Sequence, residues 1–129
     1  MPQVWDVYRL FAVQTNPPKH KFVIVTATPP GTGYALGLFI NSELNEFQRK
    51  PELAPCFVTV PAPGHSFLTY DSLAACSDVY TFSHAQFGQG EFCGRIEAVT
   101  ARAIREAALA CPILRRGHKR FFAEMELPE

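Results

Sequence analysis

The chain has 129 residues, which fits a single domain able to bury a continuous core without metal or disulfide staples. Hydrophobic residues make up 47% and charged residues 19%, which excludes a disordered chain. The formal net charge is zero, which argues against strong non-specific nucleic-acid binding but leaves room for a local basic groove. Eleven Phe and four Tyr favour strands, and eleven Pro with eight Gly favour many turns.

In chain order, Val4 to Val13 is apolar and aromatic and reads as a first strand. Gln14 to Lys21 carries Asn16-Pro17-Pro18 and reads as a loop. Phe22-Val23-Ile24-Val25-Thr26 is a continuous β-branched run, the pattern of a central strand. Pro29 to Gly33 forms a turn, and Tyr34 to Ile40 a third strand. Ser42 is a suitable cap for a short helical turn through Glu43, Leu44, Asn45 and Phe47. Pro51 and Pro55 then break the chain before a fourth strand at Cys56 to Val60. Pro61 to His65 forms a loop. Leu73 to Phe82 reads as strand with a bend at Ala74-Ala75, and Gly88, Gly90 and Gly94 punctuate the next stretch.

The clearest element comes last. Ile96, Val99, Ala103, Ile104, Ala107, Ala108 and Cys111 recur at helical spacing, with Arg102, Arg105 and Glu106 on the other face. Thr100 is the expected N-cap, and Pro112 stops the helix. The basic run Arg115-Arg116-Gly117-His118-Lys119-Arg120 reads first as a solvated tail, with a nucleic-acid contact or a partner-binding strip as alternatives, and Phe121-Phe122 and an acidic end follow it. The expectation is one mainly β domain over residues 1–129. Its barrel covers about 4–97, its closing helix about 100–111, and its tail 112–129.

Cys56, Cys76, Cys93 and Cys111 show no CxxC spacing, so no zinc site or other cofactor is expected. They read as free core thiols of a reducing cytoplasm. No segment approaches a membrane span, and the first residues carry no signal-peptide pattern.

The order of pieces resembles the MazF/PemK family of small SH3-like barrels. Four stretches carry the likeness: Lys21 to Val25, Phe57 to Pro61, Leu68 to Phe82, and Gly94-Arg95-Ile96 to Ala108. They span about residues 19 to 110. The resemblance implies a CcdB-type barrel with a C-terminal helix, and an endoribonuclease toxin of a toxin–antitoxin pair. It also implies metal-independent cutting of single-stranded RNA, an antitoxin partner and a homodimer. Two departures stand out. The family's basic residue is usually Arg, and here it is Lys21. The family's Thr or Ser after the active-site Pro is matched by Pro63 or Gly64, with His65-Ser66 just beyond.

RNA cleavage needs a proton acceptor for the 2′-hydroxyl, a cation for the phosphorane and an acid for the leaving oxygen. Lys21 is the candidate cation, His65 or His20 the proton carrier, and Ser66 a hydroxyl donor to phosphate. Lys19, His20 and Tyr70 are candidate substrate contacts, with Tyr34 and Phe67 as further stacking candidates. The alternative is a non-catalytic SH3-like barrel that binds a protein or a nucleic acid.

Overall fold

The computed structural model describes residues 1–129. Its strands are β1 (Asp6–Ala12), β2 (Lys19–Ala27), β3 (Tyr34–Asn41), β4 (Phe57–Val60), β5 (Ser72–Ala75), β6 (Tyr80–Ser83) and β7 (Glu91–Arg95). Its helices are α1 (His84–Gln89), α2 (Ala98–Ala110) and α3 (Arg116–Glu124), and a 3-10 helix covers Pro51–Cys56. All strand pairs are antiparallel. The sheet order is β4-β5-β3-β2-β1-β7, and β6 pairs with the first half of β3. No helix is long and apolar enough to cross a membrane.

β3 organises the barrel, because one edge of it serves two short strands. Ile40 and Asn41 pair with Ala74 and Leu73 of β5, while Tyr34 to Gly37 pair with Ser83 to Tyr80 of β6. The strand material at 73–82 is therefore split. The break falls at Cys76–Val79 rather than at Ala74-Ala75, and Ala74 and Ala75 stay in regular pairing.

Side chains of a strand alternate between faces, so each strand feeds two cores. Val7, Ile24, Leu38 and Ile40 pack on one face against Ile96, Ala101, Ile104 and Ala108 of the α2 region. Leu10, Ala12, Val23, Val25, Phe39 and Phe82 form the second core with Phe87 of α1.

The sequence predicts one closing helix, and the structure adds two more. α1 starts with a capping box: the Gln86 amide donates to Ser83 Oγ (3.2 Å), and the Ser83 amide donates to Gln86 Oε1 (3.1 Å). Ser83→Ala is expected to lower stability by about 1 kcal/mol in a denaturant melt. The caps also shift elsewhere. α2 begins after Glu97, and Thr100 is buried inside it rather than capping it. Near residue 45, Asn45 takes the role expected of Ser42: the Gln48 amide donates to Asn45 Oδ1 (2.8 Å).

Residues 112–129 are not a solvated tail. Phe122 of α3 is only 1% exposed and joins the core beneath α2. The Arg105 guanidinium donates to the Phe122 carbonyl (2.9 Å), and the Trp5 indole N–H donates to the Glu126 carbonyl (2.9 Å). Arg115, Arg116 and Arg120 are exposed, while His118 and Lys119 are half-buried against the barrel.

Candidate nucleic-acid interface

The segment Lys19-His20-Lys21 starts β2 and does not belong to the preceding loop. Strand alternation therefore decides which way each side chain goes. Lys19 and Lys21 share a face with Val23 and Val25, and His20 goes to the other face, edge-on to Phe11 at 5.3 Å between centroids. The β2–β3 register pairs Phe22 with Ile40, so Lys21 stands opposite Asn41.

Around Lys19 and Lys21 lies an open groove of about 460 Å³. Gln14, Thr15 and Asn16 line one side, from the β1–β2 turn. Asn41 at the end of β3 and Ser42, Glu43, Asn45 and Gln48 from the segment after it line the other. Phe39 and Tyr80 give it an aromatic wall, with ring centroids 4.8 Å apart.

Lys21 is fixed within this groove. Its ammonium donates to Asn41 Oδ1 and lies 5.4 Å from the centre of the Phe39 ring. Half-burial first, and the neighbouring Lys19 charge second, pull the Lys21 pKa below its ordinary 10.5. The Tyr80 hydroxyl moves the other way, raised by burial and by Asp78, so it stays a neutral donor. The groove thus offers two cations, several amides, the hydroxyls of Thr15, Ser42 and Tyr80, and one carboxylate from Glu43. That mixture suits a phosphate backbone and an unstacked base.

Of the other predicted site residues, only Lys19 joins Lys21 in the groove. His65 is 1% exposed and both ring nitrogens are engaged. Nδ1 bonds the Pro61 carbonyl (2.8 Å), and Nε2 accepts from the Glu97 amide (3.1 Å). Those partners assign the proton to Nδ1. His65 therefore pins the loop after β4 to the start of α2 and has no free nitrogen for proton transfer. Gly64 makes this possible: its φ is +90°, and a side chain there would run into the Glu97 carboxylate.

Ser66 lines a separate depression with Phe22, Phe67 and Phe92. Phe67 packs on His65 and on Phe22, the strand neighbour of Lys21, so this depression is on the opposite face of β2 from the groove. Tyr70 is exposed on the loop before β5, and Tyr34 sits at the far end of β3. None of His65, Ser66, Tyr70, Tyr34 or Phe67 lines the groove.

Asn41, Ser42, Glu43, Gln48 and Tyr80 line the groove without having been expected there from the sequence. A signal for the first two was present. Two apolar strands joined by a short Pro-Gly turn make a hairpin, so the start of β2 must face the end of β3.

No protein-family model matches the sequence, and no curated protein matches it. Solved structures do match in fold. A Mycobacterium tuberculosis toxin, MazF-mt6, is 16% identical with a TM-score of 0.63, covering 85% of this chain and 98% of its own. A MazE–MazF complex from Deinococcus radiodurans is 14% identical with a TM-score of 0.62, covering 84% and 94%. A mycobacterial endoribonuclease bound to its cognate antitoxin is 12% identical with a TM-score of 0.61, covering 84% and 92%. The chain therefore has the MazF-like toxin fold, a mainly β barrel closed by C-terminal helices.

Proposed function

We propose that this chain is a MazF-like toxin of a toxin–antitoxin pair that binds single-stranded RNA in the Lys21 groove and cuts it without a metal ion. The observation that carries this reading is the placement of a half-buried, aromatic-flanked lysine among amides and a hydroxyl, on a barrel shared with such toxins. Lys21 stabilises the phosphorane charge, with Lys19 holding the adjacent phosphate. Ser42 donates to a non-bridging oxygen. Glu43, the one carboxylate lining the groove, accepts the proton of the attacking 2′-hydroxyl. The lowered pKa of Lys21 suits it to return a proton to the leaving 5′-oxygen. The products are a 2′,3′-cyclic phosphate and a free 5′-hydroxyl.

On this reading the protein works in the cytoplasm as a homodimer, and an antitoxin segment competes with RNA for the groove. The endoribonuclease–antitoxin and MazE–MazF complexes among its structural neighbours support a partner of that kind. A second reading, a binding barrel without catalysis, has one observation in its favour. No imidazole lines the groove, and the Lys21 ammonium already has a partner in Asn41.

The test is incubation of the full chain with single-stranded RNA in excess chelator. Cleavage is expected, and Lys21→Ala should reduce its rate by about 10²–10³-fold. Binding without cutting would select the second reading. Absence of both in a folded protein would refute the enzyme and leave the second reading only as a protein-binding barrel. RNA affinity should also fall with rising pH, starting lower than an ordinary lysine would give, because Lys21 loses its proton below 10.5.

A further inference from the structure

We propose that Cys56 and Cys111 form a redox-responsive dithiol that closes into a buried intramolecular disulfide and fastens the closing helix to the barrel. The two residues are 55 apart in sequence, yet their Sγ atoms are in direct contact at 2.6 Å. Each sits at the end of a fixed element. Cys56 ends the 3-10 helix immediately before β4, and its carbonyl accepts from the Cys76 amide (2.9 Å). Cys111 caps the C-terminus of α2, with its amide donating to the Ala108 carbonyl (3.3 Å). Both are fully buried and free. A bond between them would tie β4 and the 3-10 helix to α2 and, through α2, to α3.

The other thiols are less suited. Cys76 is buried nearby, but its Sγ is aimed at the Ala74 carbonyl (3.8 Å). Cys93 lies on β7, with its Sγ directed to the Glu91 carbonyl (3.4 Å). Burial, aided by the Cys111 thiol, pushes the Cys56 thiol up to about 12. Thiolate is the reactive form, so the closed protein oxidises slowly and the pair closes when α2 and α3 loosen. The same burial then shields the disulfide from reductants.

The oxidant is a peroxide. The Cys56 sulfur attacks a hydrogen peroxide oxygen and becomes a sulfenic acid, releasing one water. The Cys111 sulfur attacks that sulfenic sulfur, loses its proton and releases a second water. Two thiols thereby give up two electrons and two protons, and one peroxide is reduced to two waters.

The experiment treats the full chain with hydrogen peroxide, once folded and once while refolding from denaturant, where access is not limiting. Intact mass, thiol titration in denaturant and non-reduced peptide mapping are then read. The expected product is monomeric and lighter by two hydrogens, with two of its four thiols lost and a Cys56–Cys111 linked peptide. Its thermal midpoint should exceed that of the reduced protein by on the order of 10 °C, and a thiol reductant applied in denaturant, followed by refolding, should reverse the shift. Cys76→Ser should retain the bridge and Cys111→Ser should lose it. Four titratable thiols in both arms would overturn the proposal. So would oxygen addition in place of hydrogen loss, or a bridge through Cys76, Cys93 or a second molecule. The wild-type thiol count decides the matter even where Cys111→Ser does not fold.

Discussion

Phe122→Ala is expected to lower the free energy of unfolding by about 3–5 kcal/mol, the range for deleting a buried aromatic ring. Phe122 is 1% exposed and is the buried residue through which α3 joins the core shared by Ile24, Leu38 and Ile104. Removing it leaves a cavity, and it also loosens the backbone that Arg105 reaches. The Arg105 guanidinium holds the carbonyls of Phe122 (2.9 Å) and Ala123 (3.3 Å), and both bonds depend on α3 staying docked. Denaturant melts of wild type and variant measure the effect. A change within about 0.5 kcal/mol, the scale of ordinary surface substitutions, would show that residues 112–129 behave as a tail after all. Phe121→Ala is the matched control, because Phe121 lies on the exposed side of the same helix.

His65→Ala has the second large effect, and its sign separates two roles. As a buried staple, the imidazole satisfies the Pro61 carbonyl and the Glu97 amide. Its loss leaves both without partners, at roughly 1–3 kcal/mol for each buried group left unsatisfied. The expected outcome is about 2–4 kcal/mol less stability, with RNA binding in the Lys21 groove intact below the melting transition. A proton carrier would behave in the opposite way, with stability kept and cleavage lost. Paired measurements of melting and RNA cleavage on the one variant therefore decide between them.

Lys21 extends this contrast through pH. Its folded pKa is depressed, so over the interval just below 10.5 the unfolded chain binds more protons than the folded one. Folding stability should rise with pH across that interval, and Lys21→Met should flatten the rise. A slope that survives the substitution would assign the proton to another group.

The long elements were legible in the sequence because hydrophobic pattern alone specifies them. β2 and β3 are apolar runs buried on both faces, and α2 carries a clear apolar stripe. The short helices were not legible, for a different reason in each case. α1 is six residues long and contains Gly88, so intrinsic preference argues against it. It forms because Ser83 and Gln86 cap it and Phe87 finds a pocket among Leu10 and Phe82. α3 has only Phe122 fully buried, and six residues from Arg115 to Arg120 conceal that single anchor in a basic run.

The candidate site divides along the same line. Lys21 was singled out through the resemblance, as a basic residue ahead of an apolar strand. The side chains that surround it in the groove come from elsewhere in the chain, so no local pattern marked them. Pro61 to Ser66 looks like an active-site loop when read locally, but the strand pairing sends it to the other face of the sheet. Asn41 and Ser42 look like the end of a strand and a helix cap, and the hairpin delivers them to Lys21.

Trp5 carries a last consequence. It is the chain's only tryptophan, held at φ +76° by its amide bond to the Val25 carbonyl (2.8 Å) and by the Ile96 amide bond to its own carbonyl (3.1 Å). Its ring is 1% exposed, and its indole N–H touches the C-terminal strap at Glu126. The molecule thus contains a single indole fluorophore wired to the segment most distant in sequence. Undocking of residues 125–129 would expose the ring and free its N–H, and the emission would move to longer wavelength with no label attached. A red shift that precedes loss of sheet signal on heating would time the release of that strap against the unfolding of the barrel.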